Sequence, residues 1–371
     1  MSRILLFSLA VLVSSFSLKA QNTTTSSAAD TVEVTTTTTT TTKPDLAAAR
    51  KLYQQAQKEF ALFETQHGGF VQTKNVNLHY LSWGKPSGIP LIWSHGSLTN
   101  GYELLKVADD LVKAGYYLIA IDYYGHGQTA IPAHPVSLYH VADDIAELMD
   151  QLKIKKAVIG GWSRGGGVST AFYDAYPERV LGLILEDGGS VAQNTHYHKM
   201  EASQLEKTIK TIMEHTYKDT LYTSAFDAYY DIYDPEEGGT QFSALAWIRK
   251  AGKEQWGIYP GVMELFQMNS AQQWSDLILR PTKVTLFGTS MSLLAPEIIY
   301  RNLNVPMLIL DPASKEDFMP FEKENAALQA QHPKFIEHKI YENTGHNIHY
   351  EQPKRFVQDL SGFLKRVKAS P

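Results

Sequence analysis

Short, predominantly apolar runs alternating with amphipathic segments constrain this chain more than any other feature. Residues 90–94, 117–122, 157–162, 181–186 and 306–310 are too brief for buried helices. They are also too uniformly apolar for strands with one face in water. Runs of this kind suit strands covered on both faces, as in a parallel sheet. Residues 70–74 and 76–83 read as a hairpin at one edge, and 338–341 as a weaker strand late in the chain. Between the runs lie helical patterns. Leu138, Val141, Ile145, Leu148 and Leu152 share one face, as do Phe356, Leu360, Phe363 and Val367. Strand–helix alternation predicts an α/β fold with helices on both faces of a mostly parallel sheet.

The N-terminal region has a different character. Arg3, the apolar run 4–13 and a small residue, Ala20, before Gln21 have the form of an export leader over 1–20. Residues 21–43 are nearly all Thr, Ser and Ala up to Thr42, a composition that buries too little apolar surface to order itself. A helix is expected over 44–66, with Leu46, Leu52, Ala56, Phe60 and Phe63 toward its neighbour. The α/β core then takes 67–189 and 295–371. The interval 190–294 is too long to be a bare loop, and its aromatics, Trp247, Trp256 and Trp274 among them, mark an inserted helical subdomain. The expected location is periplasmic or extracellular, with no stable membrane span once the leader is removed. Oligomeric state leaves no mark in the sequence.

Composition narrows the chemistry. There is no cysteine, which excludes disulfides, thiolate metal sites and thiol nucleophiles. A net charge of -5, with signs mixed along the chain, is no footprint for a nucleic-acid partner. No His and carboxylate set has ligand spacing, so neither metal nor cofactor is expected.

Gly161-Trp162-Ser163-Arg164-Gly165 lies between an apolar run and a helical pattern. A serine on a strained strand-to-helix turn, with glycines where two backbones approach, is the arrangement of a nucleophile elbow. Its hydroxyl needs a base. His346 is the candidate, after Gly345 and before the last helix, with His349 its rival. The acid that orients the base is expected from the loop after 306–310, where Asp317 is preferred to Asp311; Asp187, at the end of an earlier strand, is a more distant option. Ser94-His95-Gly96-Ser97 follows a strand and offers one backbone N–H for an oxyanion. Arg164, the residue after the nucleophile, offers the second.

In this order, His95-Gly96, Asp122-Tyr-Tyr-Gly125-His-Gly127, the Gly161–Gly165 elbow and Gly345-His346 resemble the α/β-hydrolase superfamily over roughly 70–367, the insert apart. The resemblance implies an eight-stranded sheet, a helical cap over the site and no cofactor. It also implies Ser163 as nucleophile, His346 as base, and Ser97 and Arg164 as oxyanion donors. A Ser–His–Asp carboxylesterase acting on a small-molecule ester through an acyl-enzyme is the expected activity, with the cap aromatics suiting a hydrophobic or ring-bearing substrate. An aminopeptidase resembling the proline iminopeptidases, using Asp231, Asp234 or Glu236 for the substrate amine, is the alternative. Carbon–carbon bond hydrolysis and a non-enzymatic binding protein on the same scaffold are further ones.

Overall fold

The computed structural model describes residues 43–215, 220–314 and 320–369. The expected leader, the Thr-rich tract up to Thr42 and the expected acid Asp317 fall outside them.

Eight strands form one sheet. They are β1 (Gly68–Gln72), β2 (Asn77–Trp83), β3 (Ile89–Ser94), β4 (Tyr116–Ile121), β5 (Ala157–Trp162), β6 (Val180–Glu186), β9 (Met307–Ala313) and β10 (Ile336–Glu342). Their spatial order is β1-β2-β4-β3-β5-β6-β9-β10. β2 runs antiparallel to β1 and β4, and the pairs from β4 to β10 are parallel.

The apolar runs alternate between two cores. Ile92, Ile119, Ile159, Leu183 and Ile309 join one cluster, while Leu91, Leu118, Val158, Ile184 and Leu308 join the other. Helices α3 (Leu138–Gln151) and α4 (Arg164–Ala175) cover the first face. Helices α2 (Ala108–Ala114) and α9 (Pro353–Ala369) cover the second. Both sides of each central strand are therefore out of water, which is why these strands show no polar alternation.

The first described helix, α1 (Leu46–His67), is capped by Asp45, whose carboxylate accepts the Ala48 N–H at 2.8 Å. It docks through Phe60 and Phe63, whose rings lie 5.7 and 5.3 Å from that of Tyr102. Its Glu64 accepts from His79 Nε2 at 2.9 Å and from the Tyr102 hydroxyl. His79 in turn donates to Asp122 at 2.6 Å. This buried chain ties α1 to the first two parallel connections.

Strand β9 runs further than the apolar pattern predicts, through Asp311 and Pro312, because β10 pairs with it as far as Ala313. Pro312 is tolerated there because β6 stops pairing at Leu310, so the missing N–H breaks no bond to β6. β10 is the edge strand with a half-exposed face, which accounts for its weak apolar signal.

Between β6 and β9 lie α5 (Ala202–His215), α6 (Ala225–Ile232), α7 (Ala271–Leu279) and α8 (Leu286–Leu293), with single-turn helices and a ribbon of β7 (Ile248–Lys250) and β8 (Trp256–Ile258). The Arg249 guanidinium pins this segment to the core by donating to the carbonyls of His126, Gly127 and Thr129 at 3.3, 2.9 and 2.5 Å. Among the described residues no helix is long and apolar enough to cross a membrane.

Candidate active site

Strands β3 and β5 are neighbours, with Ser94 opposite Gly161. From β3 the chain proceeds to β4 on one side, and β5 lies on the other. This is the topological switch point, where α/β sheets open a crevice at the carboxyl ends of their strands. The loop after Ser94 and the turn at Ser163 leave the sheet side by side at that point.

Ser163 has φ 55° and ψ -118°, a conformation an L-residue holds only when its surroundings enforce it. Its N–H donates to the Glu186 carbonyl at 2.8 Å, and its own carbonyl accepts from Gly166 at 3.0 Å. The close approach needs glycine at two places above all. A methyl group on Gly165 would run into the Ser94 carbonyl, and one on Gly188 into the Ser163 carbonyl. The elbow is thus wedged between the ends of β3 and β6.

His346 lies in the loop after β10. The Trp162 indole N–H donates to its carbonyl at 2.6 Å, anchoring the histidine loop to the residue before the serine. The imidazole Nδ1 is hydrogen-bonded to Asp187 Oδ2. Asp187 follows β6, is 4% exposed and has φ 42°, and its N–H donates to the Leu310 carbonyl at 2.9 Å. Burial raises its pKa, and the adjacent His346 opposes that shift.

The acids weighed in the sequence are therefore distributed differently from expectation. Asp317 lies outside the described residues. Asp311 is not in a loop: it is buried within β9, where its Oδ2 meets His338 Nε2 at 2.6 Å and accepts from Asn325 at 2.9 Å. The carboxylate on His346 is that of Asp187, the more distant option in the sequence. The signal for it was Asp187-Gly188-Gly189, where chain so close to the elbow has no room for side chains.

His349, the rival histidine, is held by Glu186, whose carboxylate takes its N–H and its ring Nδ1, each at 2.9 Å. Burial alone would strip its proton, but the Glu186 charge and hydrogen bond outweigh that effect and raise its pKa. It sits edge-on to Trp162, ring centres 5.4 Å apart, as a brace behind the elbow.

The loop after β3 is held just as firmly. Glu103 accepts the Gly96 N–H at 3.2 Å, the Thr99 hydroxyl at 2.5 Å and the Trp93 indole N–H at 2.6 Å. Burial pushes its carboxyl up to about 7. Leu98 donates its N–H to His126 Nε2 at 3.3 Å. Burial keeps His126 well below its usual range, hence neutral and able to accept. The N–H groups on either side of Ser97, those of Gly96 and Leu98, are therefore both engaged in holding the loop. Glu103 and His126 were not identified from the sequence, since nothing in their spacing marks residues whose work is to hold a loop.

Ser97, Ser163 and Arg164 line one cavity together with Leu138, Val191, Met268, Trp274, Leu294 and Phe321. Of the described aromatics in the insert, Trp274 and Tyr197 line it, and Phe266 lies against the Arg164 guanidinium. Tyr229 and Tyr233 instead pack with Ala56 on α1. Most of that aromatic content is therefore internal packing. Asp231 accepts from the Tyr222 hydroxyl at 2.8 Å, and neither it nor Asp234 or Glu236 lines the cavity. Among the described residues no three potential ligands stand together to hold a metal ion.

Comparison with known proteins agrees with this architecture. Residues 89–225 match the family described as alpha/beta hydrolase fold. A Bacillus subtilis protein named as a putative 2-succinyl-6-hydroxy-2,4-cyclohexadiene-1-carboxylate synthase is 26% identical over 254 residues, which are 67% of this chain and 81% of its own. A proline iminopeptidase of Saccharolobus solfataricus is 22% identical over 81% of this chain and 92% of its own. A solved thermophilic esterase from Thermogutta terrifontis superposes with a TM-score of 0.53 at 20% identity, covering 81% of this chain and 98% of its own. By its sheet order, its elbow at the switch point and these likenesses, the chain has the α/β-hydrolase fold.

Proposed function

We propose that the protein is an exported serine hydrolase that cleaves a carboxylic ester, with Ser163, His346 and Asp187 as its triad. One observation carries the reading: His346, anchored beside the strained serine turn, has its Nδ1 on a buried carboxylate. A carboxylate in that position fixes the tautomer, so that Nε2 is the basic nitrogen, and it stabilises the imidazolium that forms. Asp187 takes the role the sequence had suggested for Asp317.

In the first half-reaction Nε2 removes the Ser163 proton as Oγ attacks the ester carbon. The N–H groups of Ser97 and Arg164 receive the oxyanion. Collapse breaks the bond to the alcohol oxygen, which takes the proton from His346. Water, deprotonated by the same imidazole, then attacks the acyl-enzyme, and the acid departs with Ser163 restored.

The amine-binding alternative finds no support in the cavity lining, which among the described residues carries an arginine and no carboxylate. Export rests on the leader expected over 1–20. A fluorophosphonate probe tests the central reading. It should label the wild type and not Ser163→Ala; equal labelling of both, or of neither, rejects it.

A further inference from the structure

Arg164 does more than offer a backbone N–H. Its side chain is 9% exposed and lines the cavity beside Ser163. Nε and Nη1 are buried with no hydrogen-bond partner. Nη2 reaches only the Met268 thioether, at 3.6 Å. The guanidinium lies 3.6 Å from the centre of the Phe266 ring. Among the described residues no carboxylate pairs with it. Buried arginines are ordinarily paired, because an uncompensated charge away from water is costly. One aromatic face and a weak sulfur acceptor offset little of that cost.

A second group shares the deficit. Trp274 lines the same cavity, and its indole N–H is buried without a partner. An indole N–H and a guanidinium only donate. The other walls are largely apolar: Leu138, Val191, Met291, Leu294 and Phe321. Unmet donors from two separate elements, α4 and α7, thus belong to one cavity whose lining, among the described residues, includes no acid. What such a lining lacks is a planar acceptor with negative charge, the group a guanidinium fork binds best.

We infer that the Arg164 side chain, with the Trp274 indole, forms an anion subsite, and that the substrate is an ester bearing a free carboxylate, such as a monoester of a dicarboxylic acid. This rests on the hydrolase reading above and sharpens its substrate class. Arg164 would then serve twice from one position, its N–H toward the oxyanion and its side chain toward the substrate's remote charge.

The test compares 4-nitrophenyl monoesters of glutaric and adipic acid with the same compounds capped as methyl esters. A charge-assisted hydrogen bond to a buried cation predicts a preference in kcat/KM for the free acids of roughly tenfold to a hundredfold. That ratio should fall to about one in Arg164→Met and recover only in part in Arg164→Lys, which keeps charge without the fork. A role confined to packing on Phe266 would change rates on both esters and leave their ratio alone. A binding measurement needs no turnover: calorimetry on Ser163→Ala should detect monomethyl glutarate or adipate and not the dimethyl esters, and adding Arg164→Met should abolish it. Equal turnover of acid and capped esters by the wild type, or equal binding by Ser163→Ala, overturns the subsite while leaving the hydrolase reading intact. Failure of fluorophosphonate to label Ser163 overturns the hydrolase reading instead, and calorimetry still decides the subsite.

Discussion

Replacing Asp187 by Asn separates catalysis from stability at the assigned triad. The change keeps the size of the side chain and removes its charge. The imidazolium then loses its counter-charge, and the amide can present its NH₂ to Nδ1, which favours the tautomer with its proton on the wrong nitrogen. The same substitution in a well-studied serine protease triad lowers kcat about 10⁴-fold. With Nδ1 on Asp187 and both groups buried, a loss of about 10³- to 10⁴-fold is expected, or about 4–5 kcal/mol of transition-state stabilisation. Stability should move differently. Burial raises the Asp187 pKa, so its ionised form is costlier to bury than it was to hydrate in the unfolded chain. That contribution is greatest above the folded pKa and vanishes as pH falls below the unfolded value. Asp187→Asn should therefore leave the thermal midpoint at neutral pH unchanged or slightly higher. The assay is 4-nitrophenyl ester turnover beside a thermal melt, with Asp317→Asn and Asp311→Asn in parallel. If Asp187→Asn keeps more than about a tenth of wild-type kcat while Asp317→Asn loses it, the acid assignment is wrong.

Three other outcomes follow from the same geometry. Glu103→Ala leaves the Gly96 N–H, the Thr99 hydroxyl and the Trp93 indole without their acceptor; kcat should fall roughly tenfold or more through a loosened Ser97 loop, with KM little changed, and steady-state kinetics would show it. His79 has its pKa raised to about 9 from 6.5: burial opposes its charge, but Asp122 and Glu64 outweigh burial, so the stabilisation is complete below pH 6.5 and lost as pH rises through about 9. It is worth at most about 3 kcal/mol, and urea unfolding across that window should show the decline in the wild type and a flatter profile in His79→Asn. Gly188→Ala places a methyl group against the Ser163 carbonyl; it should lower the melting temperature and cut fluorophosphonate labelling, whereas Gly362→Ala, which meets nothing within 4 Å, should do neither.

The central strands were legible because both faces of each are buried, so a short apolar run has one economical interpretation. The elbow was legible because its glycines answer to local sterics. The acid was not legible, and the reason is geometrical. Carboxylates leave the carboxyl ends of both β6 and β9, and sequence spacing ranks the β9 loop first. For Asp311 the outcome depends on how far β9 extends. Pairing with β10 draws Asp311 into the sheet, where Ile340 is its register partner and His338, two residues back on the same strand, takes its carboxylate. Asp187, turned at φ 42° beside Gly188, faces the histidine loop instead. The Arg164 side chain was obscured for a related reason. The motif assigns that position a backbone role, and nothing in the string Gly-Trp-Ser-Arg-Gly says whether the guanidinium points to water or is sealed between Phe266 and Met268. Where a motif fixes the backbone, the side chain it carries is free to set specificity, and here the one buried cation lining the cavity among the described residues is part of the elbow itself.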